Sequence, residues 1–168
     1  MDKNLENTFL TALEQNQQKI YRICSVYSKD TDETKDLFQE SLIIIWQAMP
    51  SFKTESSIGT WMYRITLNVC LRFRSNTIKK QKKFPPINSI TIGNIQAEIE
   101  NTAQNEQLIK LRNCIKQLNG ADKAVITLYL EELPYKEISV VLGLSENNVA
   151  VKVKRIKKKL LNCINPTL

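Results

Sequence analysis

Residues 134–160 read PYKEISVVLGLSENNVAVKVKRIKKKL and describe two short helices around a sharp turn. Pro134 suits the first turn of a helix, where its missing N–H costs nothing. Ile138, Val141 and Leu142 recur at i, i+3 and i+4 and give that helix one apolar face. Gly143 can take the left-handed conformation that ends such a helix. Ser145 is a good N-cap for the next one, its hydroxyl accepting from an orphan backbone N–H. In the second helix Val149, Val153, Ile156 and Leu160 follow at steps of four, three and four, and face inward. Asn147, Val151, Lys154, Arg155 and Lys158 then fall on the opposite side. A helix–turn–helix lays its second helix in the DNA major groove, N-terminal residues nearest the bases. A cationic outer face neutralises phosphates. The same pattern also fits a solvated surface helix with a lysine-rich back, so the rest of the chain has to discriminate.

The 168 residues can hold one domain of ordinary size or two small ones. Apolar residues make up 42 %, enough for real cores. With 4 glycines, 5 prolines and few period-two runs of β-branched residues, the predicted fold class is all-α. The net charge of +7 favours a polyanionic partner, nucleic acid or an anionic membrane surface. The longest apolar run, Leu42 to Trp46, is far too short to span a bilayer, and the N-terminus shows no secretory signal. The expected location is the cytoplasm. Cys24, Cys70, Cys114 and Cys163 are widely spaced and form no C-x-x-C pair, and the chain has no histidine. A zinc site is therefore not expected. Each cysteine lies in a helical pattern, so all four are expected as buried free thiols. Without histidine the commonest general base is missing. Neither a Gly-rich phosphate loop nor a nucleophile elbow is present. No catalytic residue, metal ligand or cofactor is expected.

Phe9, Leu13, Ile20, Cys24 and Tyr27 trace one helical stripe, predicting a first helix from Leu5 to Tyr27. The acidic turn at Asp30 to Thr34 opens a second helix, Asp32 to Met49, whose first charges suit the positive helix start. Phe38, Leu42, Ile45 and Met49 form its inward stripe, and Pro50 stops it. Asp36, Gln39, Glu40, Ile43 and Gln47 form a second stripe, polar but with one exposed isoleucine. It reads either as a solvated face or as a docking surface for a basic partner with one apolar anchor. A polar loop from Phe52 feeds a third helix, Thr60 to Arg74, with Met62, Ile65, Val69 and Phe73 inward. Arg64, Asn68 and Arg72 share another face with Trp61 at its start. Arginine, aromatic and amide groups beside a polar loop are the chemistry for holding unpaired bases. Trp61 and Tyr63 fit equally well as core aromatics.

From Ser75 to about Ala103 the periodicity fades. Lys79, Lys80, Lys82 and Lys83, then Pro85-Pro86, read as the start of a linker between two small helical domains. Leu108, Leu111, Ile115 and Leu118 restore an inward helical stripe. Asn119-Gly120 ends that helix, and Asp122 caps another with Val125, Leu128 and Tyr129 inward. With the two helices of residues 134–160 these make a four-helix unit.

Three motifs in this order resemble the extracytoplasmic-function group of bacterial sigma factors, in the sigma-70 family. Asp36-Leu37-Phe38-Gln39-Glu40 with Trp46 resembles the group's "DLxQE…W" helix. Gly59-Thr60-Trp61-Met62-Tyr63-Arg64-Ile65 with Asn68 resembles its "TWLYRIAxN" helix. Leu133-Pro134-Tyr135-Lys136-Glu137-Ile138, with Leu142-Gly143-Leu144-Ser145 through Arg155, resembles its "YxEIAxxLGxSxxxVxxRxxRaxxxL" segment. The match covers nearly the whole chain apart from the linker.

The resemblance implies a subunit of RNA polymerase in three parts. Residues 1–76 would dock on the beta-prime clamp helices of core RNA polymerase through Asp36, Gln39, Glu40, Ile43 and Gln47. The same domain would hold the melted minus-ten element through Ser56, Ser57, Ile58, Trp61, Arg64, Asn68 and Arg72, with one base flipped into a pocket. The linker, 77–104, would thread toward the active-site channel. Residues 105–168 would meet the beta flap and read the minus-thirty-five element of promoter DNA. The recognition helix offers Asn147, Asn148, Ala150, Val151, Lys152, Lys154, Arg155 and Lys158 for that readout. Where relatives often carry arginine, Ala150 and Val151 are small and apolar, suited to thymine methyls and groove shape rather than bidentate guanine contacts. Lys152 and Arg155 are then the leading candidates for base or phosphate contact. Members of the group are commonly held inactive by an anti-sigma factor, a further partner that the resemblance implies. A stand-alone helix–turn–helix regulator of duplex DNA is the alternative. It explains residues 134–160 but leaves the Asp36–Gln47 stripe and the Trp61–Asn68 face without work.

Overall fold

A computed structural model describes residues 2–75 and 106–166. The predicted linker, 77–104, lies outside the described residues. All regular structure among them is helical, and the chain divides into two compact units.

The first unit contains α1 (Lys3–Tyr27), α2 (Thr31–Ala48) and α3 (Ile58–Ser75). Asp2 and Asp30 cap the first two, accepting from the N–H groups of Asn4 (3.0 Å) and Glu33 (2.8 Å). Each helix packs on the other two. Ile20, Ile23, Leu37, Phe38, Ile45 and Met62 are fully buried between them. Burying a side chain such as Phe38 stabilises the fold by roughly 1.5–3 kcal/mol. Phe38, Leu42, Ile45 and Met49 all point inward as their spacing predicts. Pro50 ends the α-helix but not the helical path: residues Met49–Ser51 tighten into a 3₁₀ turn with the proline near its start. α3 begins at Ile58, two residues before the predicted start. Tyr63 is core, its hydroxyl donating to Asn16 Oδ1. Cys24 and Cys70 are buried free thiols side by side in this core. Their hydrogen bond, burial, and the nearby Cys24 and Glu40 charges push the Cys70 thiol well above its usual pKa.

The second unit contains α4 (Glu106–Lys116), α5 (Gly120–Leu130), α6 (Tyr135–Leu142) and α7 (Glu146–Ile164). α7 packs against the other three. α5 is its central rod, buried at every residue from Asp122 to Leu128, as a helix enclosed on all sides must be. Three expectations change here. Asn119, not Asp122, is the N-cap of α5: its Oδ1 accepts the Asp122 N–H at 2.8 Å, and Gly120 opens the helix instead of closing the one before. Leu108 is exposed, because α4 reaches the core only further along, at Cys114 and Ile115. Cys114 and Cys163 are not free thiols but a disulfide, with Cα atoms 6.0 Å apart. α4 lies against α7 and brings together two residues 49 apart in sequence, a proximity that helical spacing does not encode.

Candidate nucleic-acid and polymerase interfaces

The turn between α6 and α7 is built by local chemistry. Pro134 stands one residue outside α6 as its N-cap, and its carbonyl accepts from Glu137 and Ile138, both at 3.0 Å. At the other end Gly143 sits at φ +69°, in the left-handed region. The N–H groups of Gly143 and Leu144 both reach back to the Ser139 carbonyl, closing one orphan acceptor of the last turn. Ser145 then caps α7, its Oγ accepting the Asn148 N–H at 3.1 Å. Val149, Val153, Ile156 and Leu160 are all buried. The two-helix turn predicted for residues 134–160 is therefore present, with the inward face of α7 as read, while in α6 Ile138 is buried and Val141 and Leu142 are half-buried.

On the outer side of α7, Asn147, Asn148, Val151, Lys154, Arg155 and Lys158 are exposed, while Ala150 and Lys152 are half-buried. Val151 is 57 % exposed, an apolar side chain standing in water between cations. Those cations are of different kinds. Lys152, Lys154 and Lys158 make no ion pair or side-chain hydrogen bond among the described residues. Lys157 stands 4.4 Å over the Tyr129 ring, and its hydrogen bond to that tyrosine raises the ammonium pKa. Arg155 and Lys159 turn to the flank, where the Asp122 carboxylate accepts from them at 3.1 and 3.4 Å. Asn119 Nδ2 donates to the same carboxylate at 3.3 Å. Asp122 is 1 % exposed and lies in the first turn of α5, where the helix dipole also favours a carboxylate. Sequence reading missed this residue as a partner of α7. Its signal was an acid beside a cap at the start of an otherwise apolar helix.

In the first unit the α2 stripe is continuous. Asp36 and Gln47 are exposed and Gln39, Glu40 and Ile43 half-buried. Asp36 and Glu40 make no ion pair among the described residues. Ile43, read as exposed from sequence, sits half sunk between these polar neighbours. At the entry to α3, Ser57 is occupied with capping. Its Oγ accepts the Thr60 N–H at 3.2 Å, and its hydroxyl donates to Thr60 Oγ1 at 2.9 Å. Ser56, Ile58 and Trp61 are half-buried, and Trp61 packs its ring 5.0 Å from Phe52. That pair anchors the loop to the helix. Arg64, Asn68 and Arg72 lie exposed along α3, with Arg72 Nε donating to the Asn68 carbonyl at 3.3 Å.

Comparison with known proteins agrees with this arrangement. Residues 12–80 match the family Sigma-70 region 2, and residues 108–160 match Sigma-70, region 4. Among curated relatives, the RNA polymerase sigma factor SigV of Bacillus subtilis is 25 % identical over 150 residues, covering 89 % of this chain and 86 % of that protein. The ECF RNA polymerase sigma-E factor of Salmonella typhimurium is 28 % identical over 165 residues, covering 90 % and 84 %. Two solved structures share the fold. CnrH, in complex with the cytosolic domain of CnrY, gives a TM-score of 0.70 at 18 % identity, covering 97 % of this chain and 91 % of that one. The sigma factor RpoE of Bartonella quintana, in complex with the anti-sigma factor NepR, gives 0.65 at 16 %, covering 99 % and 100 %. With both regions matched, in order and one in each compact unit, the chain belongs to the sigma-70 family.

Proposed function

We propose that this chain is a dissociable promoter-specificity subunit that binds core RNA polymerase and directs promoter recognition and melting. It performs no catalytic step of its own. One observation carries the reading: each compact unit matches a different sigma-70 region, in the family's order. In this reading residues 1–76 form the core-binding and minus-ten part, 77–104 the linker and 105–168 the minus-thirty-five part. Core polymerase meets the acidic stripe of Asp36, Gln39, Glu40, Ile43 and Gln47 on its beta-prime clamp helices, and the beta flap meets the second unit. The exposed run of Arg64, Asn68 and Arg72 on α3, with Trp61 and the loop residues Ser56, Ser57 and Ile58, holds the melted strand. The α7 surface of Asn147, Asn148, Ala150, Val151, Lys152, Lys154 and Lys158 enters the major groove, with Arg155 at its edge. Val151, exposed and apolar, is suited to a thymine methyl.

No helix among the described residues is long and apolar enough to cross a membrane, and work on the chromosome places the protein in the cytoplasm. An anti-sigma factor is a further proposed partner. The solved neighbours CnrH and RpoE are each in complex with a second protein, an anti-sigma factor in the case of RpoE. A stand-alone duplex-binding regulator would give the α2 stripe and α3 face no role. The deciding experiment is transcription in vitro with purified core polymerase, followed by mapping of start sites. Promoter-specific starts that require this chain support the reading. Promoter binding that is indifferent to core polymerase would remove it.

A further inference from the structure

The cations of α7 are not equally available to DNA. Lys152, Lys154 and Lys158 are without ion-pair partners among the described residues, whereas Arg155 and Lys159 share one buried carboxylate. Both are only about half exposed, at 52 % and 51 %, against 2 % for Asp122. Removing Asp122's partners would leave its charge buried and uncompensated, so the pairs are costly to break. Arg155 and Lys159 are one helical turn apart on the same flank, and Asn119 holds the carboxylate from its other side.

We propose that Asp122 is a specificity-determining residue acting through α7: it withholds Arg155 and Lys159 from DNA phosphates. This rests on the proposed reading that the outer face of α7 meets DNA. The physical consequence follows from what phosphate contacts do. Each cation placed on a phosphate adds affinity for every sequence alike, and steepens the salt dependence. Base contacts add affinity for one sequence only. Taking two cations out of the first class lowers non-specific binding without touching the second. The ratio of promoter to non-promoter affinity rises, and that ratio, not affinity alone, decides where the protein sits on a chromosome. Asp122 would therefore act as a built-in subtraction from a helix whose sequence, KVKRIKKK over residues 152–159, would otherwise grip any duplex.

The test uses the full chain assembled with core polymerase. Binding to a promoter fragment and to a promoter-free fragment of equal length is titrated across salt for the wild type and for Asp122→Asn, Asp122→Glu, Arg155→Gln, Asp122→Asn/Arg155→Gln and Lys154→Ala. Asp122→Asn should bind the promoter-free fragment several-fold more tightly. Its slope of log affinity against log salt should steepen by roughly 0.9 for each cation released to a phosphate. Its promoter preference should fall. Asp122→Glu, which keeps the charge, should restore the wild-type slope. Arg155→Gln should flatten the slope more in the Asp122→Asn background than in the wild type, a coupling that the double mutant isolates. A merely structural Asp122 would instead lower affinity for both fragments and leave the slope alone, which overturns the proposal. If Asp122→Asn does not fold, Arg155→Gln against Lys154→Ala decides: an equal flattening by both means Arg155 already sits on a phosphate, and the idea fails. A Lys154→Ala slope equal to wild type would instead sink the underlying reading of α7.

Discussion

Gly143 is where single-residue chemistry sets the geometry of the DNA-binding turn. At φ +69° an added Cβ meets nothing within 4 Å, so the penalty of any substitution is backbone strain rather than a clash. Gly143→Ala should cost about 1 kcal/mol. In a unit of this size that lowers the thermal midpoint by roughly 4–8 °C, readable by circular dichroism. At the other interface, Asn68 is exposed on α3 with its carbonyl engaged by Arg72. Asn68→Ala should leave assembly with core polymerase intact and impair promoter melting, seen as weaker permanganate reactivity of thymines in the bubble. Full reactivity would take Asn68 out of the strand-holding face. Residues whose role is local were legible in the sequence. Gly143 and Ser145 act within a few residues of themselves, and both were placed correctly. Asn119 and Asp122 were exchanged, because either can cap a helix and only the packed structure shows which does. Arg155 reads from sequence as a candidate for base or phosphate contact, and its ion pair with Asp122 stays hidden there because the two lie 33 residues apart.

At the scale of elements, periodicity carried most of the fold. The inward stripes of α2 and α7 are buried where the spacing puts them, since a helix has to hide its apolar positions from water whatever it packs against. Periodicity names the face, however, not the neighbour. That is why α5, enclosed by the helices around it, gave a weaker stripe than its burial warrants, and why Leu108 was assigned inward at an end of α4 that does not reach the core. The Cys114–Cys163 bond is the sharpest case, joining α4 to the last turn of α7 across 49 residues. Closing a loop of that length removes unfolded-state entropy worth about 4 kcal/mol. The Cys114→Ser/Cys163→Ser protein should therefore unfold its second unit at lower denaturant than the wild type. A reducing agent should bring the wild type down to the same midpoint and leave the variant where it is. Equal midpoints for oxidised wild type and variant would show that the tie contributes nothing to stability.

For the whole molecule, the question is whether two units with separate cores act as one subunit. The charges suggest a division of labour. The chain carries +7 overall, yet the exposed stripe of α2 offers carboxylates at Asp36 and Glu40 around a half-sunken Ile43. A DNA-binding face would gain nothing from carboxylates, because phosphates repel them, whereas a basic protein surface would be steered in by them and held by the apolar contact. The triple variant Asp36→Ala, Glu40→Ala, Ile43→Ala removes both the charges and the anchor while leaving the buried stripe of α2 intact. Its loss of core affinity should be about 2–4 kcal/mol, a weakening of roughly thirty- to a thousand-fold, measured by titration of labelled protein against core polymerase. Loss of the two charges should show mainly as slower association and a weaker salt dependence, loss of Ile43 as faster dissociation. The α7 surface is untouched by these changes. A variant that binds core polymerase as tightly as the wild type would therefore place the contact on another face of the first unit.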